Sequence, residues 1–170
     1  MKVVCAWCKK VLTGDATGGN SVFHGICPEC LNRLVSAGPA INLRDLLDRL
    51  DFSVVVTDGS VTIQLANRTA EQVFGRTTSE LENTDVGFAI ECQHAQAGQC
   101  GRTEHCAGCL LRQTLQETYA DGKPRYGVYS EHEVLTPEGT VPKRLRFSTT
   151  RVGDAVILAI EEGGELSTLS

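Results

Sequence analysis

The sequence predicts an α+β protein with a five-stranded antiparallel sheet and helices on one face, preceded by a small cysteine-rich module. Two observations lead to this fold class. Segments with strand-like apolar patterns occur in the order strand, strand, helices, strand, strand, strand. Four of the eight cysteines fall within residues 1–35, where apolar residues are too few to bury a core, so this part needs a cross-link such as a metal.

Each element of the larger part has its own local signal. A short helix is expected over 42–50, where Asn42 is a good N-cap and leucines recur at helical spacing: Leu43, Leu46, Leu47 and Leu50. Residues 52–57 and 61–65 flank the turn Asp58-Gly59-Ser60, which predicts a hairpin. Further helices are expected over 67–74, around 79–81 and over 110–119, and further strands near 125–135, 143–150 and 155–161.

These signals divide the chain into four parts. Residues 1–35 form a four-cysteine, zinc-ribbon-like module, and 36–41 form a linker. The main domain spans 42–162 with a cysteine-rich insertion at 92–109, and 163–170 form a frayed tail.

The composition limits the class of protein and its location. The net charge is −5 and the basic residues are scattered, which disfavours a nucleic-acid partner, including for the zinc-ribbon-like module. No segment has the apolar core of a signal peptide or the roughly 20 apolar residues of a membrane span, so we expect a cytoplasmic protein with no membrane partner. Because thiols stay reduced in the cytoplasm, the eight cysteines indicate metal binding or redox chemistry rather than disulfides.

The first cysteine cluster has the spacing of a tetrahedral zinc site. Cys5 and Cys8 form one C-x2-C pair, and Cys27 and Cys30 form a second pair, separated from the first by eighteen residues. Two such pairs place four sulfurs around one ion, with His24 as an alternative ligand. A structural zinc is the main hypothesis. A thioredoxin-like dithiol is the alternative, although no βαβ pattern surrounds either pair.

A second cluster occupies the insertion and consists of Cys92, Cys100, Cys106 and Cys109, with His94 and His105 close in sequence. Its spacing, C-x7-C-x5-C-x2-C, is irregular but compact. Four thiolates accept either a zinc ion or an iron–sulfur cluster, and the spacing does not decide between them. The remaining alternative is a set of buried or free thiols without a metal.

Two parts of the chain resemble known bacterial families. Cys5-Ala6-Trp7-Cys8-Lys9-Lys10 and His24-Gly25-Ile26-Cys27-Pro28-Glu29-Cys30 together resemble a short zinc-binding element attached to bacterial PAS and response-regulator proteins. Residues 42–162 resemble a PAS domain, most specifically in 67–75 followed by Ser79-Glu80-Leu81. The resemblance implies a five-stranded antiparallel sheet with helices on one face, and a space between them that often holds a ligand or cofactor.

The PAS resemblance and the cysteines together predict a stand-alone signal-transduction sensor, with redox or oxygen sensing at the second cluster. We expect its partner to be another signalling protein, a kinase or a transcription regulator, because no output domain follows the main domain. We also expect a homodimer through the helix at 42–50, unless the leucines of that helix pack on their own sheet.

Two other functions stay open. The first is a thiol–disulfide redox protein that uses a C-x2-C pair. The second is a PAS domain with two structural zincs that binds a small molecule or a partner protein. No catalytic triad or phosphate-binding loop is recognisable, so we do not expect an enzyme. Glu131, His132 and Glu133 alternate along a strand, which places the two carboxylates on one face and the imidazole on the other. A solvated strand face is the expected interpretation there, and a second metal site is the alternative.

Overall fold

The N-terminal module contains a small mixed sheet and one helix. The structure is a computed structural model that describes residues 1–14, 21–36, 42–98 and 100–162. Strand β1 (Lys2–Cys5) pairs antiparallel with β2 (Val11–Thr13) and parallel with β3 (Val22–Gly25). Helix α1 (Pro28–Ser36) begins with a proline, which suits the first turn of a helix because the N–H that proline lacks has no partner there.

The main domain is built on a five-stranded antiparallel sheet. Its strands are β4 (Ser53–Thr57), β5 (Ile63–Ala66), β6 (Arg125–Thr136), β7 (Gly139–Val152) and β8 (Ala155–Glu162), in the spatial order β5-β4-β8-β7-β6. The first two strands form a hairpin, and the last three form a meander that places β8 beside β4. The predicted PAS-like α+β fold class is confirmed.

Helices fill the segment between β5 and β6. These are α3 (Arg68–Phe74), α4 (Thr78–Leu81), α5 (Val86–Ala89) and α6 (Leu110–Asp121), while α2 (Leu43–Leu47) precedes β4. Two 3-10 helices, Gln93–Gly98 and Glu104–Gly108, lie in the cysteine-rich insertion, where the sequence indicated only a loop. Gly75 ends α3 in the left-handed conformation at φ 63°, as its position after Phe74 predicts.

The sheet buries apolar side chains on both faces. On one face, Leu81, Leu111 and Leu115 of the connecting helices pack against the central strands. On the other face, Ile26 and Leu31 of the module pack on strands β4 and β8. The module therefore shares a core with the main domain, which explains how a segment with so few apolar residues is held in place.

Helix α2 lies on the same face as the module. Leu47 is fully buried there, and Leu43 and Leu50 pack against the same core. The leucine stripe thus packs on its own sheet, and the homodimer stays a prediction. Residues 37–41 of the predicted linker and the predicted tail lie outside the described residues. In the parts of the chain that the structure describes, no helix has the length and hydropathy to cross a membrane.

Candidate metal centres

The first cysteine cluster converges on one point. Cys5 is the last residue of β1 and Cys8 lies in the following turn, while Cys27 precedes α1 and Cys30 lies in its first turn. The four sulfurs all lie within 4.8 Å of one another, and the Sγ atoms of Cys8 and Cys27 are 3.8 Å apart. Four sulfurs bound tetrahedrally at about 2.3 Å from zinc lie about 3.8 Å from each other. The geometry of the thiols therefore fits a zinc ion.

Backbone N–H groups point at these sulfurs, as they do in metal-binding knuckles. The N–H of Cys27 points at the Sγ of Cys5 at 3.5 Å, and the N–H of Cys30 points at the Sγ of Cys27 at 3.4 Å. Burial alone raises the pKa of Cys5, but the N–H groups of Cys27, Cys8 and Trp7 outweigh it and lower the pKa to about 7. For Cys5 these contacts favour the thiolate form, which is the form that binds a metal, whereas burial raises the pKa of Cys27 and of Cys30.

His24 does not join this cluster. Its ring Nδ1 and its backbone nitrogen both lie 3.0 Å from the carboxylate oxygen Oε1 of Glu161 on β8. The ring also stacks on Phe52, with the centroids 5.1 Å apart. His24, the alternative zinc ligand that the sequence suggested, thus holds the module against the main sheet instead.

A buried arginine lies at the same interface. Arg146 of β7 is only 7% exposed and lies between the rings of Phe23 and Tyr129, at 3.4 and 4.1 Å from the ring centroids. Its Nε and Nη1 atoms have no hydrogen-bond partner among the described residues. Burial lowers the pKa of Arg146, and the neighbouring carboxylate of Glu161 opposes that shift. Charge and aromatic packing therefore join the module to β7 and β8.

The second cysteine cluster lines a cavity of about 360 Å³ between the 3-10 helices, α6 and β6. Its wall carries all four cysteines of the cluster and three imidazoles: Cys92, Cys100, Cys106, Cys109, His94, His105 and His132. The rings of His94 and His105 stack with their centroids 4.3 Å apart. The fold thus collects residues that are spread over the insertion and a distant strand.

The sulfurs of the second cluster line one cavity but do not lie close enough together to bind a single ion. Within the described residues, the first cluster is the one group of three or more ligand atoms that lie within 4.8 Å of one another. Binding of one ion by several cavity thiols therefore requires the two 3-10 helices to close around it. Such helices have poor hydrogen-bond geometry and move at low cost.

Neighbouring groups set the charge state of the cavity thiols. Burial raises the pKa of Cys92 and of Cys100, while the Nη1 of Arg112 lies 4.0 Å from the Sγ of Cys100. Burial also acts to raise the pKa of Cys106, but the hydroxyl of Thr103, 3.2 Å from its sulfur, and nearby N–H groups lower it overall. The cavity thiols are thus chemically distinct from one another.

Gly101 permits the close approach of Arg112 to the cavity. It has a φ of 81°, and a Cβ atom there would lie 2.4 Å from the Cζ of Arg112. The left-handed backbone favours glycine at this position, and a larger residue would also displace the guanidinium of Arg112.

His132 is the site residue that sequence reasoning did not identify. Glu131 and Glu133 are exposed, as a solvated strand face predicts, but His132 is 9% exposed and lies in the wall of the cavity. Its Nε2 is 2.7 Å from the hydroxyl oxygen of Ser130, and burial lowers its pKa, which favours the neutral ring. The alternation along β6 was the available signal, but the sequence did not show which face meets the cysteines.

No protein-family model matches the sequence, and no curated protein matches it. Solved structures of PAS domains are similar to the chain. The PAS domain of BvgS from Bordetella pertussis is 19% identical with a TM-score of 0.48, and the match covers 75% of this chain and 88% of that one. The PAS domain of the quorum-sensing receptor RpfR from Cronobacter turicensis, in complex with BDSF, is 18% identical with a TM-score of 0.46, covering 68% and 97%.

The PAS domain of nitrogen regulation protein NR(II) from Vibrio parahaemolyticus is 16% identical with a TM-score of 0.46, and the match covers 72% of this chain and 99% of that one. Similarity at this level adds nothing to what the strand order β5-β4-β8-β7-β6 already defines, which is the α+β fold of the main domain.

Proposed function

We propose that this chain is a signal-transduction module that senses redox state through a metal centre in the cysteine-lined cavity, and that a structural zinc stabilises its N-terminal module. One observation carries the proposal. The four cysteines of residues 92–109 all reach one cavity between the helices and the central sheet, together with three histidines. Thiolate and imidazole are the ligands that zinc and iron–sulfur centres use in proteins.

The first cluster suits a structural role. Its four thiols leave no position open for water or substrate, which is typical of structural zinc sites. Three of the four cysteines are buried, and the helix and strands that carry them also supply Ile26 and Leu31 to the core beneath the sheet. A zinc here stabilises the module and, through it, one face of the main domain.

The second cluster suits a sensory role. Thiolates that hold a metal are also the groups that oxidants attack, so oxidation removes ligands and releases the metal. The wall that carries Cys92, Cys100 and Cys106 includes both 3-10 helices, whose hydrogen-bond geometry is poorer than that of an α-helix. Metal binding orders this wall, and metal loss frees it, which gives the two states that a sensor needs.

A route connects the cavity to the opposite face of the sheet. Cys92 forms a β-bridge with Val134, and the N–H of Leu135 donates to the carbonyl of Glu91 at 2.8 Å, so the start of the insertion is tied to β6. On the other face, β6 and β7 present Tyr129 and Arg146 to Phe23 of the module. Movement of the insertion therefore reaches the surface where the module sits.

The partner of such a module would be a signalling protein, either a kinase or a transcription regulator. A homodimer through the helix at 42–50 would use the outer side of α2, because Leu47 is fully buried against the sheet. The role proposed here is regulatory rather than enzymatic.

Oxidation of the anaerobically purified protein tests the proposal. Hydrogen peroxide should release the metal of the second cluster, raise hydrogen exchange in 92–109 and in β6, and leave the zinc of the first cluster bound. The variant Cys106→Ser is the matched control and should lack both the second metal and the oxidant response. Wild-type protein with no metal at the second cluster, or with unchanged exchange after oxidation, would contradict the proposal.

A thiol–disulfide redox protein is the second candidate, and one observation favours it. Thr103 and nearby N–H groups lower the pKa of Cys106, which makes this thiol reactive in the absence of a metal. This candidate predicts that Cys106 is alkylated rapidly in the native protein as purified. A metal-bound Cys106 should instead be alkylated only after a chelator is added.

A further inference from the structure

We infer that His132 is a ligand of the cavity metal and completes, with Cys92, Cys106 and Cys109, a site of three thiolates and one imidazole for a divalent ion of the zinc type. This inference rests on the proposed function, because it assumes that the cavity binds a metal. It goes further by naming the residues that bind the metal and the point at which the metal contacts the central sheet.

The backbone places Cys92 and His132 side by side. Cys92 pairs with Val134 in an antiparallel bridge, so their side chains lie on the same face. His132 precedes Val134 by two residues on β6 and shares this face, and both side chains are buried. Two residues along a strand span about 7 Å, which is within reach of a cysteine and a histidine that bind a common ion between them.

The imidazole of His132 is arranged as in metal-binding histidines. One ring nitrogen, Nε2, is held by the hydroxyl of Ser130 at 2.7 Å. The other, Nδ1, is the nitrogen that would bind the metal. A histidine that binds a metal through one nitrogen has its other nitrogen fixed by a neighbouring group in this way.

Cys106 and Cys109 form a third C-x2-C pair, like the two pairs of the first cluster. The N–H of Cys109 donates to the carbonyl of Cys106 at 3.2 Å, which holds the pair in a tight turn at the start of α6. With Cys92 and His132 on the opposite wall, the pair supplies the two remaining ligands of a four-coordinate site.

Cys100 is held in a different environment. Its sulfur packs against Gly87, where an added Cβ would lie 2.8 Å from it, and the guanidinium of Arg112 lies 4.0 Å away. The contacts with Gly87 and Arg112 thus hold this sulfur in place. Cys100 is therefore the cavity cysteine that the site does not need.

Cobalt binding tests the inference, because Co²⁺ replaces zinc and its absorption spectrum reports the ligands. The full chain is first loaded with one equivalent of zinc to fill the first cluster, and Co²⁺ is then titrated into the second. We expect His132→Ala to weaken this Co²⁺ binding by at least about tenfold and to change the spectrum. His132→Cys should restore the affinity and add thiolate-to-cobalt charge-transfer intensity.

Two controls separate ligand loss from structural damage. Glu138→Ala changes an exposed carboxylate outside the cavity wall and should leave affinity and spectrum unchanged, and Cys100→Ser should do the same. Unchanged Co²⁺ binding in His132→Ala, or loss of binding in Cys100→Ser, would overturn the inference while leaving the proposed function intact. Absence of Co²⁺ binding by the zinc-loaded wild type would also overturn the inference, and the proposed function fails with it if the anaerobically purified protein contains no iron.

Discussion

His24 and Glu161 join the N-terminal module to the last strand of the main sheet, with both the ring Nδ1 and the backbone nitrogen of His24 lying 3.0 Å from one carboxylate oxygen. Glu161 also pairs in register with Arg146, whose guanidinium is buried beneath Phe23. One carboxylate therefore serves two partners at an interface from which water is largely excluded, and it couples the position of the module to β7 and β8.

Replacing Glu161 should weaken this interface. In Glu161→Gln the amide oxygen still accepts a hydrogen bond, but the buried guanidinium of Arg146 loses its neighbouring charge, so we expect about 2 kcal/mol less stability in chemical denaturation. Glu131→Gln is the matched control, since Glu131 pairs with Arg144 on an exposed face and its loss should cost less than about 1 kcal/mol. Equal effects of the two substitutions would show that the interface does not depend on this charge.

Loss of the metal of the first cluster should loosen the face of the sheet that the N-terminal module covers. Cys27→Ser removes one of four thiols, so we expect loss of zinc from the first cluster and faster hydrogen exchange in α1 and β4. Native mass spectrometry gives the zinc count of the variant. Lys10→Ala, which breaks an exposed ion pair with Glu29, is the control and should retain zinc. Full zinc occupancy in Cys27→Ser would show that this thiol is not a ligand.

Asn67 should be among the most sensitive positions of the main domain. Its fully buried amide accepts from the N–H groups of Val54 and Ala70 and donates to the carbonyls of Leu47 and Phe52, all at 2.9 to 3.0 Å. Asn67→Ala removes four hydrogen bonds to buried backbone groups, of which the carbonyl of Leu47 keeps a second donor in the N–H of Leu50, so we expect a loss of at least about 3 kcal/mol.

The exposed Gln64 on the neighbouring strand provides the comparison for Asn67. Gln64→Ala removes an exposed amide that donates a long hydrogen bond to Asp58, at 3.3 Å, and should change stability by less than about 0.5 kcal/mol. Urea denaturation of both variants measures the difference. A loss below about 1 kcal/mol for Asn67→Ala would mean that water replaces the amide in the folded protein.

Glu71 should make the stability of the helical layer depend on pH. The hydroxyl and N–H of Thr78, and then Arg44, lower the pKa of Glu71 below its ordinary value of 4.5. Since the folded-state pKa is the lower one, the stabilisation is present above pH 4.5 and is lost as the pH falls through the folded-state pKa.

Glu71→Gln should therefore destabilise the protein by about 1 kcal/mol at pH 7, and its difference from wild type should shrink as the pH falls below 4.5. Comparison at each pH with Glu82→Gln, an exposed carboxylate on the neighbouring helix, removes the effect of acid on the metal sites. A difference that stays constant with pH would contradict the assigned role of the carboxylate.

Most strands could be predicted from local pattern, but some of their ends could not. β7 begins at Gly139, although the sequence predicted a start near 143, since a proline at 142 argues against a strand. Among the described residues, 139–144 pair with β6 and pairing with β8 begins at Leu145, so Pro142 lies where this part of β7 forms a sheet edge, a position that accepts proline.

The position of the module could not be predicted, because its contacts are all between distant parts of the chain. Ile26 and Leu31 are isolated apolar residues in a polar segment, and no local period marks the sheet face that they cover. The first cluster was accessible because C-x2-C spacing fixes geometry within a few residues. The second site depends on how β6 folds back over the insertion, which is why the sequence favours a solvated strand face over a metal site at Glu131, His132 and Glu133.

The second metal centre is tested most directly by the zinc and iron content per chain of protein purified without oxygen. The proposed function predicts one zinc for the first cluster and, in addition, either a second zinc or iron with acid-labile sulfide. Two zincs would agree with the ligand set that includes His132. One zinc per chain with no iron, and with Cys92, Cys106 and Cys109 freely alkylated, would contradict a metal-based sensor.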